Sequence, residues 1–212
     1  MAYNFIAENA QYTLSPFSSI GFYPTTFSAW VYATDDTIAM TIVSWNQPAG
    51  GAGLRTLLAG QATNDPVRGV LGVNTFSQVS PGFTINTWHH ICFVCASSVS
   101  RTVYRDGVAG NTNTTNSTPF NLTRFWIGTS AGASYFKGHI SDVAIWSAAL
   151  DTGEINSLVK GFSAKRIRPQ SLEYYVPLVR NLYEYNSNIS VTSDEISGGS
   201  APTVTTHNRI YL

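Results

Sequence analysis

Apolar and β-branched residues recur along this chain in short runs, each closed by glycine, proline, asparagine or aspartate, and helical spacing is nearly absent. Runs of this kind, rich in Val, Ile, Thr, Phe, Tyr and Trp, fit the pleated surface of a strand. The pattern predicts strands over residues 25–33, 39–46, 69–76, 88–96, 101–105, 122–128 and 138–146. A later run at 172–177 and short pieces at 9–15 and 82–85 extend the set. Within 25–33, Phe27, Ala29, Val31 and Ala33 alternate with Ser28, Trp30 and Tyr32, so both faces carry bulk. Such a strand is expected near the middle of a sheet or covered on both sides. Arg105-Asp106-Gly107 reads as a hairpin turn, because glycine takes positive φ at no steric cost. Residues 47–53 (QPAGGAG) and 111–119 (NTNTTNSTP) read as loop tips without apolar anchors.

One helix is predicted, over residues 151–160. Asp151 stands at its N-cap, Glu154 completes a capping-box spacing, Ile155, Leu158 and Val159 form one apolar face, and Gly161 ends it. Many short strands, one short helix and no repeat of blade or solenoid length point to an all-β fold. The expected architecture is a two-sheet antiparallel β-sandwich of the jelly-roll type with that helix laid against a sheet. Residues 1–182 hold the sandwich pattern. Residues 183–212 carry too little apolar content for a core of their own, and are expected to pack as an extension on the sandwich or on a neighbour.

The stretch WHHICFVC, residues 88–95, brings two histidines and two cysteines together. On a strand, successive side chains point to opposite faces. His89, Ile91, Phe93 and Cys95 then share one face, and His90, Cys92 and Val94 share the other. Cys92 and Cys95 cannot chelate one ion or form a disulfide without breaking the strand. A structural zinc site needs a turn between its sulfurs and a second ligand pair, and neither is present in the pattern. The stretch is a strand.

Charge narrows the partners. Twelve basic residues balance twelve acidic ones, and only 11% of the chain is charged. No basic stripe exists for nucleic acid or an anionic membrane. No apolar run reaches the roughly 20 residues that span a bilayer. The opening MAYNFIAENAQYTLS lacks a basic n-region, an apolar core and a cleavage site, so synthesis in a cytoplasm with reduced thiols is expected. Sequons at Asn113, Asn116, Asn121 and Asn188 then follow from an Asn/Thr-rich composition rather than from glycosylation.

The order TFSAWVYA, LGVNTF, NTWHHICFVC, VYRDG, FWIG and FKGHISDVAIWSAALDTGEI resembles the laminin-G-like, concanavalin A-like lectin/glucanase group. The motifs are a Trp-His pair (Trp88 with His89 or His90), Asp106-Gly107, and the set Gly138, Ile140, Asp142, Val143, Ile145, Trp146 and Leu150. The likeness covers about residues 5–180 and implies the jelly-roll sandwich. Asp142 interrupts an apolar run and reads as a buried acceptor holding a turn. The tail pieces IRPQSL, YYVPL and HNRIYL resemble tails of related domains in bacteriophage and bacterial proteins, which implies a virion component.

Glycosidases of that group carry paired carboxylates on one strand, as E-x-D-x-x-E or E-x-D-x-x-H. Neither spacing occurs; Glu154 falls in the helix, Glu173 precedes Tyr174, and Asp194-Glu195 lies in a polar segment. No G-x-S-x-G elbow or phosphate-binding loop is present. Calcium sites on laminin-G-like rims would draw on Asp35, Asp36 or Asp65, which read instead as turn residues. Trp45 with Asn46, or Trp126, could form a sugar platform, but tryptophan in an apolar strand normally packs inside. No catalytic residue, metal ligand or cofactor is therefore named, and the ligand-binding residues stay open. The expected function is a non-enzymatic structural or decoration protein of a virus particle, located in the virion. Its partners would be other capsid or tail proteins, or further copies of itself. A carbohydrate-binding adhesin for host-surface glycans is the alternative.

Overall fold

The structure, a computed structural model, describes residues 22–46, 53–72, 75–117, 122, 124–130 and 133–178, with the backbone of 2–5, 12–14, 192–193 and 204–205. In chain order the strands begin with β1 (Ala2–Phe5), β2 (Tyr12–Leu14), β3 (Thr25–Ala33), β4 (Ala39–Asn46), β5 (Leu54–Ala59), β6 (Val67–Leu71) and β7 (Phe76–Val79). They continue with β8 (Trp88–Ser97), β9 (Ser100–Arg105), β10 (Val108–Asn113), β11 (Arg124–Ile127) and β12 (Gly138–Trp146). After the helix α1 (Thr152–Val159) come β13 (Leu172–Val176), β14 (Thr192–Ser193) and β15 (Val204–Thr205). Two antiparallel sheets result. The first runs β10-β9-β8-β3-β12-β1-β15, with β13 paired to β12 beside β1; the second runs β14-β2-β11-β4-β5-β6-β7.

The core lies between the sheets. Phe27, Ala29, Val31 and Ala33 of β3 meet Ile91, Phe93 and Cys95 of β8, and face Ile42, Trp45, Leu54, Leu58, Phe125 and Ile127 from the second sheet. Each such aliphatic or aromatic side chain, fully buried, contributes about 1.5–3 kcal/mol of transfer free energy. The period of two in WHHICFVC is realised: Cys92 and Val94 lie outside the sandwich, in a second cluster. That cluster is built where α1 packs on the outer face of the first sheet. Ile155 and Leu158 of the helix cover Cys92, Val94, Ala144 and Trp146, with Leu150, Ala164, Ile167 and Leu172 closing round them. The Trp146 indole donates to the carbonyl of Ile167 at 2.7 Å, which pins the segment after the helix.

The helix forms as its sequence predicts. Asp151 Oδ1 accepts from the Glu154 N–H at 2.9 Å, and Glu154 Oε2 accepts from the Asp151 N–H at 2.8 Å. Asp142 sits at φ +54° in a bulge of β12, where pairing passes from β1 to β13. Its carboxylate accepts from Tyr175 at 2.7 Å and from Ser141 at 2.8 Å, so it holds this handover as a buried acceptor.

Four expectations need correction. The run 69–76 is two strands, because Gly72 turns the chain at φ +71° between β6 and β7. Residues 82–85 join no ladder; Gly82 and Phe83 donate instead to Asn64 and Asp65 of a neighbouring turn. β5 is an additional strand, its Leu-rich sequence LRTLLA holding one strand-favouring residue, Thr56. Residues 111–113 belong to β10 rather than a loop tip, and their amides do strand work. Asn111 Oδ1 accepts from the Gln78 N–H at 2.8 Å, and Asn113 Nδ2 donates to the Phe76 carbonyl at 2.9 Å. These bonds stitch β10 to β7, the edge strand of the second sheet. Asn113 Oδ1 also accepts from the buried Arg101 guanidinium at 2.8 Å, which donates further to Ser98 and Thr115 carbonyls.

Candidate functional site

His89 and Asp106, from the Trp-His pair and the Asp-Gly hairpin, form one network. The Thr84 N–H donates to His89 Nε2 at 3.1 Å, so the ring proton sits on Nδ1 and is donated to Asp106 Oδ2 at 2.7 Å. Asp106 Oδ1 accepts from the His90 N–H at 2.8 Å, and Arg105 lies 3.5 Å from Oδ2. Burial pushes the Asp106 pKa up, but the bonds from His89 and His90 and the charges nearby outweigh it, and the net shift is down. Both nitrogens of His89 are thus occupied, Nδ1 in holding the hairpin to β8 and Nε2 in holding the Thr84 backbone before β8.

His90 points outward and is 1% exposed. Its Nε2 meets Ser28 Oγ at 2.8 Å. Burial lowers its pKa to about 4, partly offset by Asp106, so the ring is neutral near pH 7. The Ser28–His90 contact lacks the third member of a triad, since Asp106 meets only the backbone of His90. Cys92 and Cys95 are free and buried on opposite faces, and burial raises both thiol pKa values. A thiol held protonated in this way is a poor nucleophile.

The residues singled out in the sequence do not converge. Trp45, 3% exposed, packs between the sheets against Phe22 and Phe27, so it offers no sugar platform. Asn46 and Trp126 are buried on the other face of the second sheet. Asp35 is held by Lys137 Nζ at 2.7 Å and by the Thr37 hydroxyl and N–H at 2.6 and 2.7 Å, which lower its pKa to about 2. With Asp36 and Asp65 it forms no metal-binding group; no cluster of three or more His, Cys, Asp or Glu occurs among the described residues.

A different set of side chains comes together on the outer face of the first sheet. The register places Trp88, Tyr32 and His139 in one row across β8, β3 and β12, and His90, Trp30 and Ser141 in the next. Ring centroids of Tyr32 lie 5.6 Å from Trp88 and 5.4 Å from His139, while Trp88 and His139 are 6.3 Å apart. The three rings therefore form a compact triangle, tilted by 30–54° to one another. Trp30 rests edge-on over His90 at 5.3 Å. Trp30, Tyr32, Trp88 and His139 are all partly exposed, where the helical layer ends. Burial lowers the His139 pKa, so this ring too is neutral near pH 7. The sequence singles out Trp88 only as part of the Trp-His motif, and its candidate sugar platforms are only Trp45 with Asn46, and Trp126. The signal was the bulk of Trp30 and Tyr32 on the face of β3 opposite its Phe and Val residues.

The sequence from residue 7 to 156 matches the laminin-G model of the concanavalin A-like lectin/glucanases superfamily. The chain belongs to that superfamily. Its lectin-like fold is also that of a candidate carbohydrate-binding protein from Bacteroides ovatus, with a TM-score of 0.69 and 16% identity over 96% of this chain and 61% of that one. A sialidase of Trypanosoma rangeli matches at a TM-score of 0.57 and 17% identity, over 74% of this chain and 26% of the sialidase. Domain 4 of a GH43 extracellular arabinanase from Geobacillus stearothermophilus, solved with arabinotriose, matches at 0.53 and 20% identity, over 64% and 66% of the two chains. The lectin-like chain thus spans about three fifths of the Bacteroides protein and a quarter of the sialidase. Among the curated proteins none matches.

Proposed function

We propose that this lectin-like protein is a non-enzymatic glycan-recognition domain, and that the Trp88–Tyr32–His139 triangle with Trp30 is its sugar-binding site. The observation that carries this is the partly exposed aromatic cluster on a rigid central sheet. Aromatic faces bind the C–H faces of sugars, and strands hold them in fixed register. The carbohydrate-binding neighbours support the same reading. So does the way carboxylates are spent: Asp106 on the hairpin, Asp142 on the bulge, Asp151 and Glu154 on the helix cap, and Glu173 on Ser147. The domain is proposed to act in the virion of a bacteriophage, on capsid or tail, a reading supported by the tail pieces IRPQSL, YYVPL and HNRIYL.

Titration of the purified protein against a glycan panel, with calcium and with EDTA, tests the site. Saturable binding that survives EDTA and is lost in Trp88→Ala, with the near-UV circular dichroism of a folded chain retained, is expected. Binding equal in wild type and variant would place the sugar elsewhere. Quantitative mass spectrometry of intact particles tests the location: hundreds of copies mark a decoration protein, a few mark a fibre, and none overturns the virion reading.

A further inference from the structure

We infer that the aromatic site takes a short, uncharged glycan end, two sugar residues laid along β3. This rests on the glycan-recognition reading and adds the class and length of the ligand.

Length follows from the rows of the outer face. Four rows cross the central strands: Trp88–Tyr32–His139, His90–Trp30–Ser141, Cys92–Ser28–Ala144 and Val94–Thr26–Trp146. All members of the third and fourth rows are buried, and most of them pack in the cluster with Ile155, Leu158 and Ile167. Only the first two rows carry partly exposed rings. Tyr32 and Trp30 are two residues apart on one strand face, about 7 Å along the strand. The triangle of the first row, with sides of 5.4–6.3 Å, has the footprint of one pyranose ring. Trp30 supplies a second station one step further, and the helical layer then walls the face off. Among the described residues, a glycan following β3 meets two aromatic stations and no third.

Charge gives the class. The rings themselves are uncharged near pH 7, His90 and His139 included. Among the described residues, the charged groups that border the rows are paired: Lys137 with Asp35, Arg105 with Asp106, and Asp106 with His89. Among the described residues at this face, none offers an unengaged guanidinium or ammonium to a sialic acid, uronic acid or sulfated sugar. Desolvating such a group without a counter-charge is costly, whereas a neutral sugar gives up only hydroxyl–water bonds.

The test is isothermal titration calorimetry of the full chain with gluco-, galacto- and manno-oligosaccharides of one to four residues, and with sialylated and uronate-bearing counterparts. Wild type, Trp88→Ala and Trp30→Ala are compared, each checked for folding by near-UV circular dichroism. Affinity is expected to rise about tenfold from the monosaccharide to the disaccharide of the preferred series, then to stay level within roughly twofold. Acidic counterparts are expected to bind at least about tenfold more weakly. Trp30→Ala should cut the ratio of disaccharide to monosaccharide affinity from about tenfold toward one. Continued gain at three and four residues, or equal affinity for acidic glycans, overturns this inference and leaves the site standing. Binding untouched by Trp88→Ala, or no binding at all, overturns the site itself and the inference with it.

Discussion

His90 is a wholly buried, neutral imidazole bonded to a serine hydroxyl, and that makes it an acid-sensitive point of the fold. Its folded pKa lies near 4, below the ordinary 6.5, so between those values the unfolded chain binds the proton more readily than the native one. Stability is therefore full above about pH 6.5 and falls as pH drops toward 4, by an amount on the order of 3 kcal/mol. Urea midpoints measured from pH 7 to pH 4 should show this slope, and His90→Gln should flatten it to the smaller shares of His139 and, near pH 4, of Asp106 and Asp35, whose pKa values are also lowered. Asp106 is the other residue on which much rests, with His89, His90 and Arg105 all bound to one carboxylate at φ +52°. Asp106→Ala is expected to cost about 2–3 kcal/mol in chemical denaturation, and Asp106→Asn, which keeps an acceptor and tolerates the backbone, roughly half of that. The histidine and cysteine pairs were legible in sequence because a period of two leaves one assignment of faces. Trp45 and Trp30 were not separable that way. Each sits in an apolar strand with bulk on both sides; the opposing sheet closes over Trp45, whereas α1 covers only one end of the outer face and leaves Trp30 partly open.

Among the elements, α1 shows the closest agreement between sequence and structure, since its capping box and apolar face are local properties that need no tertiary partner. Asp151→Ala is expected to cost about 1 kcal/mol, and a double-mutant cycle with Glu154→Ala should show coupling, because each side chain caps the other's N–H. Independent losses that simply add would mean the reciprocal bonds carry no energy. The strands that the pattern passed over fail for the opposite reason. β5 is a strand because β4 and β6 flank it, despite a sequence that suits a helix as well. β10 has a polar sequence and gains its order from β9 on one side and from the bonds of Asn111 and Asn113 to β7 on the other. Those amides supply ladder-like partners to an edge strand, which closes it to further strand addition.

At the scale of the whole molecule, the question is how much of the fold depends on the tail. The main core runs from Phe27 to Leu178, and every residue of the proposed sugar site lies between 30 and 139. Residues beyond 182 add β14 to β2 and β15 to β1, each a pairing of two residues at a sheet edge. A chain ending at residue 182 is therefore expected to fold cooperatively, with its near-UV aromatic signal intact and a lowered unfolding midpoint. It should bind glycans as the full chain does. Its two sheets would, however, lose their outermost strands on the side opposite the stitched β10–β7 edge, and exposed ladders recruit other chains. Self-association measured by sedimentation should rise accordingly. A truncated chain that lost its near-UV signal would show that residues 183–212 complete the sandwich rather than extend it. If it instead kept fold and glycan binding but failed to join particles, recognition would belong to the sandwich and attachment to the tail.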